Sequence, residues 1–273
     1  MIPAPFEYVR AGSADEVIAA LVEHGDEAKV LAGGMSLLPL MKLRLATPTV
    51  LIDAGRVREL SYVRDGGDHI AIGALTRHRA LETSDLLASD CGVLRAVAAE
   101  VGDNQVRHRG TLGGSTAHGD PASDLPAVLL ALDADLAVRG AKGERTIAAR
   151  DFFQGFLETA LAPDELLTEI RVPKTGATGF SYQKFNRRAQ DWAIVGALAV
   201  RNGASRVALV NMGATPLRAA GVEQALAGGA SVADAAEHAA EGTDPPSDLN
   251  ATPGYREHLA RVLVRRALEA AGT

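Results

Sequence analysis

Thiols, aromatic rings and surplus positive charge are all scarce in this chain. Cys91 is the only cysteine among 273 residues, so no intrachain disulfide can form. A cysteine-ligated iron–sulfur cluster normally takes about four thiolates, which this chain cannot supply. Seven histidines occur without His-Glu-x-x-His or another tight ligand spacing, and no metal site is expected. Lys and Arg number 28 against 34 Asp and Glu, and the net charge of −6 argues against a nucleic-acid face. No apolar run reaches membrane-spanning length, and the opening Met-Ile-Pro-Ala-Pro-Phe-Glu lacks a basic-then-apolar leader pattern. A cytoplasmic location is therefore expected. Neither Gly-x-Gly-x-x-Gly nor Gly-x-x-x-x-Gly-Lys-Ser/Thr is present, so neither a dinucleotide-type Rossmann unit nor a P-loop is indicated. No Ser-His-Asp or Cys-His set stands out.

Glycine is not scarce, and two of its clusters share one pattern. Leu31-Ala32-Gly33-Gly34-Met35-Ser36-Leu37 and Thr111-Leu112-Gly113-Gly114-Ser115 each place a hydroxyl residue after a Gly-Gly pair. Glycine permits positive φ and close approach of a ligand to the backbone. Successive N–H groups in such a turn form a concavity suited to phosphate oxygens. One such turn is usually an ordinary connection. Two with matching chemistry point to a diphosphate gripped from two sides, by backbone donors rather than by a basic field.

The periodicity around them is mixed. Ser13 and Glu16 form a capping-box pattern ahead of Val17, Ile18, Leu21 and Val22, and Gly25 stops that helix. Short strands are expected at 29–31 and 49–53, with a short helix over 36–44. A second lobe begins near Gly55, with a strand at 69–74 and helices over 76–82, 93–101 and 124–132. A hairpin spans 134–148, and a strand at 166–172 ends at Pro173. Arg107-His108-Arg109 is a brief basic cluster, either a solvated turn or a ligand or partner contact. Thr175 to Gly179 is a small-residue bridge, and the domain boundary is placed there. Beyond it, three strands (180–185, 194–201, 206–212) precede three helices (217–226, 232–240, 255–271). The class is α+β, with the second sheet expected to be covered on one face.

Longer motifs carry a family resemblance. Ala32-Gly33-Gly34-Met35-Ser36-Leu37-Leu38-Pro39-Leu40-Met41-Lys42-Leu43-Arg44, then Gln105 to Gly114 with Asp120 to Pro126, then Lys184 to Val195, together resemble the FAD-binding medium subunits of the molybdenum hydroxylases. The similarity runs from Pro5 to the C-terminal helix. Met35 departs from it, since the carbon monoxide dehydrogenase type usually carries histidine there; the flanking glycines still supply the backbone donors. The resemblance implies a two-lobed FAD-binding domain of the PCMH (vanillyl-alcohol-oxidase-like) type over 1–175, with lobes of about 1–54 and 55–175. A smaller C-terminal domain with a three-stranded sheet and helices would follow over 176–273.

The resemblance also assigns residues. Leu31 to Leu37 and Thr111 to Ser115 would contact FAD. Asp124 reads locally as a helix N-cap, and the resemblance adds a flavin contact. Lys184 lies on an alternating strand that would often expose it; in relatives a lysine there approaches the flavin. Trp192 is the sole tryptophan and a core residue by default, while relatives place an aromatic or aliphatic side chain there beside the flavin ring. Leu167 is a main-chain contact by similarity. Partner chains would carry molybdopterin (a large subunit) and [2Fe–2S] clusters (a small one), in a dimer of heterotrimers. NAD, a quinone or oxygen would accept the electrons. Two alternatives stand beside this: a self-contained flavin oxidoreductase of the same fold, and a non-catalytic assembly subunit with an empty flavin site.

Overall fold

In the computed structural model, residues 2–272 are described, Asn202 by its backbone alone. The first sheet is parallel. Strand β1 (Glu7–Arg10) leads through helix α1 (Ala14–His24) to β2 (Ala28–Leu31), then through α2 (Leu37–Lys42) to β3 (Val50–Asp53), in the order β1-β3-β2. The Ser13 hydroxyl accepts the Glu16 N–H at 3.2 Å, and Gly25 at φ 52° ends α1. The carboxylate of Glu16 turns back to the Gly12 N–H at 2.6 Å, one residue earlier than a capping box would place it. Val17, Ile18 and Leu21 pack on Val50 and Ile52. Central strand β3 is apolar on both faces because both are covered.

The second sheet is antiparallel, in the order β4-β5-β10-β6-β7. After β4 (Val63–Asp65) and β5 (His69–Gly73) come five short helices. These are α3 (His78–Glu82), α4 (Asp85–Asp90), α5 (Gly92–Ala99), α6 (Asn104–Arg109) and α7 (Leu112–His118). Helix α8 (Asp124–Ala131) then leads to the hairpin β6 (Asp135–Gly140) and β7 (Gly143–Ala148). Helix α9 (Ala149–Phe152) and a small ribbon, β8 (Phe153–Gly155) with β9 (Glu158–Thr159), precede the long strand β10 (Glu165–Pro173). The β10–β6 register shifts between Leu167 and Glu169. Just before it, ordinary alternation sends Leu166 into the first core and its neighbour Leu167 into the second.

The third sheet holds β11 (Gly179–Phe185), β12 (Val195–Asn202), β13 (Ala204–Val210) and β14 (Leu217–Arg218), in that order. The three expected strands are thus joined by a fourth. Residues 217–218 pair with Leu209 and Ala208 before α10 (Ala220–Ala227) starts, so that helix begins three residues later than its periodicity predicts. Helices α11 (Val232–Ala236) and α12 (Pro253–Ala271) complete the chain. Coverage on one face is also corrected. Along β12, Val195, Ala197 and Ala199 lie under the C-terminal helices, whereas Leu198 and Val200 join the core around α8. Period-two alternation sends successive side chains to opposite faces; a strand apolar at every position is covered twice.

Helix α8 is the shared wall, with all eight residues buried. Each fully buried leucine or valine in it contributes on the order of 1.5–3 kcal/mol. Among the described residues no helix is long and apolar enough to cross a membrane.

Candidate functional site

A cavity of about 630 Å³ lies where these units meet, within the range of about 300–1,000 Å³ usual for ligand and cofactor sites. Its walls come from the β2–α2 loop, the starts of α7 and α8, the stretch between β9 and β10, and the segment around Trp192. Fourteen of the sixteen expected site residues line it: Ala32, Gly33, Gly34, Met35, Ser36, Leu37, Thr111, Gly113, Gly114, Ser115, Asp124, Leu167, Lys184 and Trp192. Leu31 and Leu112 do not. Leu31 ends β2 behind the loop, and Leu112 is fully buried in the second core.

The two glycine stretches differ in their backbone. From Gly33 to Ser36 no N–H makes a hydrogen bond among the described residues. Gly34 takes φ 76°, the turn that bares this row. The second stretch is not a loop of free donors. Thr111 caps α7, and Gly113 and Gly114 lie in its first turn. The Leu112, Gly113 and Ser115 N–H groups donate to Thr76, Ala74 and Thr111 carbonyls, and the Gly114 N–H to Thr111 Oγ1 at 3.1 Å. Its glycines serve close packing instead. A Cβ on Gly113 would sit 2.4 Å from Ala74 Cβ. A Cβ on Gly33 would fall 2.2 Å from the Arg109 carbonyl oxygen, and one on Gly114 would meet Thr111 Oγ1 at 2.6 Å and Ala32 Cβ at 3.3 Å. The two stretches form one glycine-lined seam between the β2–α2 loop and the start of α7.

Asp124 is not the cap of α8. Ser123 holds the N-cap position, and the Asp124 carboxylate is spent elsewhere. Oδ2 lies 2.9 Å from Lys184 Nζ, and Oδ1 accepts the Tyr182 hydroxyl. Lys184 also donates to the Glu100 carbonyl at 3.0 Å. Lysine and aspartate side chains are 6% and 5% exposed, so the solvent-facing reading of Lys184 fails. An ammonium has three protons, and these two acceptors engage two of them. Burial pushes the Asp124 carboxyl above its ordinary range, against the opposing pull of Lys184 and Tyr182. Burial raises the Tyr182 phenol well above its ordinary value, with Asp124 adding to the effect.

Trp192 is 55% exposed and lies at the cavity rim, not in the core. Of the basic cluster, Arg107 is structural: it pairs with Glu82 at 3.0 Å and donates to the Val101 and Gly102 carbonyls. Asp120 is a turn residue, accepting the Ala122 N–H at 2.8 Å. Sequence reasoning missed His78 and the stretch from Leu157 to Pro163, both of which line the cavity. His78 is 3% exposed, and its Nδ1 has no partner among the described residues. Burial, then Arg107 and Arg77, lowers its pKa to about 4, so the ring is neutral at pH 7. Nothing in its sequence neighbourhood marks it, because its place depends on the backbone of Gly110, which lies against the ring.

Residues 4–175 match the family described as FAD binding domain in molybdopterin dehydrogenase, and residues 180–271 match the CO dehydrogenase flavoprotein C-terminal domain. The chain belongs to the FAD-binding medium subunits of the molybdenum hydroxylases. It is 40% identical to the carbon monoxide dehydrogenase medium chain of Hydrogenophaga pseudoflava, covering 99% of this chain and 98% of the relative. To the 6-hydroxypseudooxynicotine dehydrogenase complex subunit alpha of Paenarthrobacter nicotinovorans it is 36% identical, over 98% and 95% of the two. The solved carbon monoxide dehydrogenase from Hydrogenophaga pseudoflava that lacks the Mo-pyranopterin moiety superposes with a TM-score of 0.96 at 42% identity, covering 100% and 99%. The FAD-binding, oxidoreductase-subunit character of this family member follows. Its relatives are medium chains and subunits of multi-subunit dehydrogenases.

Proposed function

We propose that the cavity holds FAD, with the diphosphate on the N–H row of Gly33 to Ser36. On this reading the chain relays electrons from [2Fe–2S] clusters on a small partner to an external acceptor: NAD, a quinone or oxygen. A large molybdopterin partner would oxidise the substrate, and the assembly would be a dimer of heterotrimers in the cytoplasm. The fifteenth and sixteenth expected residues, Leu31 and Leu112, support the site from behind. The chain divides near residue 175, with both parts contributing to the cavity. Bound flavin supplies two-electron and one-electron redox chemistry; the protein binds, orients and shields it.

The unbonded N–H row carries this reading. A run of backbone donors left without partners, opening on a cofactor-sized cavity, is a site for oxyanions. Ser115 adds a hydroxyl from the facing helix. Lys184 brings a positive charge into the wall, partly cancelled by Asp124. A self-contained flavin enzyme would need a free proton donor at its substrate. Asp124, Tyr182 and Lys184 are instead bonded to one another, which favours the electron-relay role.

Flavin-stripped protein should bind FAD at least about tenfold more tightly than FMN, because only FAD carries the diphosphate and one charge-assisted hydrogen bond is worth about 1.5–3 kcal/mol. Equal affinities would remove the role given to the N–H row. In the native complex, anaerobic substrate should bleach the flavin absorbance, and the isolated chain should show no such response. Bleaching by the isolated chain would favour the self-contained enzyme.

A further inference from the structure

Behind the glycine seam lies a second, smaller cavity of about 120 Å³. It shares Ala32, Leu75 and Thr111 with the large cavity, and its other polar walls are Arg58, Ser61 and Arg77. Two arginines are therefore among its lining residues, Arg58 exposed and Arg77 half-buried. Among the described residues neither forms an ion pair, and the Arg58 side chain makes no hydrogen bond. The Arg77 side chain donates only to the Arg109 carbonyl. The opposite charge acting on Arg77 is Asp53, whose carboxylate is already engaged by the Tyr8 hydroxyl and, at 2.8 Å, the Gly55 N–H. Arg77 is also half-buried beside a like charge, Arg109, and both burial and that repulsion disfavour its cation. Thr111 adds a further donor. Its Oγ1 accepts from Gly114, which leaves the hydroxyl proton without an acceptor among the described residues.

A half-buried cation with a like charge beside it, whose one opposing carboxylate is already engaged, is stabilised by an anion that enters the space next to it. Guanidinium forks suit tetrahedral and planar oxyanions through paired N–H bonds. We infer that the small cavity is an oxyanion subsite, in which Arg58, Arg77 and the Thr111 hydroxyl hold a phosphate-type group. Its ligand has two possible sources of the same chemistry. One is a phosphate of the cofactor, reaching past Ala32 and Thr111 from the large cavity. The other is a free oxyanion bound beside the cofactor.

The test uses the full-length chain, FAD-loaded and FAD-stripped, with inorganic phosphate as probe at constant ionic strength in chloride. Saturable phosphate binding to the loaded protein, weakened at least about tenfold by Arg58→Met, identifies a free oxyanion. Competition between phosphate and FAD on the stripped protein, with FAD affinity lowered at least about tenfold by Arg58→Met, identifies the cofactor's phosphate. The Arg58 side chain bonds to nothing among the described residues, so circular dichroism of this variant should match the parent. Arg77→Lys keeps the charge but loses the fork, and should show a smaller loss of the same kind. If Arg58→Met leaves both phosphate and FAD binding within twofold of the parent, the subsite does not exist.

Discussion

Replacing Lys184 by Met tests the buried pair at the cavity wall most directly. The ammonium lies 2.9 Å from Asp124, and both side chains are almost fully out of water. Removing one partner of such a pair usually destabilises by about 3–5 kcal/mol, because the remaining charge is left uncompensated. Asp124 has one escape. Burial already pushes its carboxyl upward, and without the lysine it takes up a proton at higher pH still. The sign comes from linkage. A carboxyl whose folded pKa exceeds its unfolded value holds a proton that the unfolded chain has released, so stability falls as pH rises through that window. The deficit of Lys184→Met relative to the parent should therefore be larger at pH 8 than at pH 5. Adding Asp124→Asn removes the charge while keeping an acceptor for Tyr182. The double variant should recover most of the loss, with a coupling of about 0.5–3 kcal/mol. Urea midpoints of the four proteins, flavin-stripped to isolate the fold, measure this. A single variant within about 0.5 kcal/mol of the parent, or two losses that simply add, would show that the pair is not coupled.

Three shorter expectations accompany it. Gly33→Ala should weaken FAD retention far more than Gly114→Ala: its Cβ would meet the Arg109 carbonyl at 2.2 Å, whereas the Gly114 Cβ meets the Thr111 hydroxyl at 2.6 Å and costs about one cap, roughly 1 kcal/mol. Equal flavin occupancy in the two variants would contradict the seam. Flavin-stripped protein should lose up to about 3 kcal/mol as pH falls from 6.5 towards 4, because His78 is protonated in the unfolded chain first; His78→Gln should flatten that part of a pH–stability curve. Trp192→Ala should leave the unfolding midpoint within about 0.5 kcal/mol, the residue being 55% exposed, while altering the absorption spectrum of bound flavin; a destabilised variant would return Trp192 to a structural role.

Much of the architecture could be read in the chain because it rests on local chemistry. Ser13, Gly25 and the spacing of Val17, Ile18 and Leu21 specify α1 without reference to anything distant. The run Val195 to Val200 marked a strand, but alternation cannot reveal that both its faces are covered. That depends on α8 arriving from another part of the chain. Edge strand β14 escaped for a related reason: two residues carry no period, and pairing with β13 alone makes them a strand.

The glycine stretches show where pattern reading reaches its limit. Gly33-Gly34 and Gly113-Gly114 are alike in sequence and unlike in what their N–H groups do. The difference lies in the helix each one enters and in the backbone that faces it. Thr111 caps α7 from within the second motif, and the N–H groups that follow it donate to Ala74, Thr76 and Thr111. Ser36 makes no side-chain cap bond at the start of α2, and its loop keeps its donors free. One motif therefore offers backbone hydrogen bonds, and the other provides the surface against which that backbone is pressed. The 2.2 Å approach of a hypothetical Gly33 Cβ to Arg109 makes the two inseparable. A ligand held on the first stretch is bound only while the second is packed behind it. On the proposed reading, packing at the seam and cofactor binding are one equilibrium, and a mutation there should change both together.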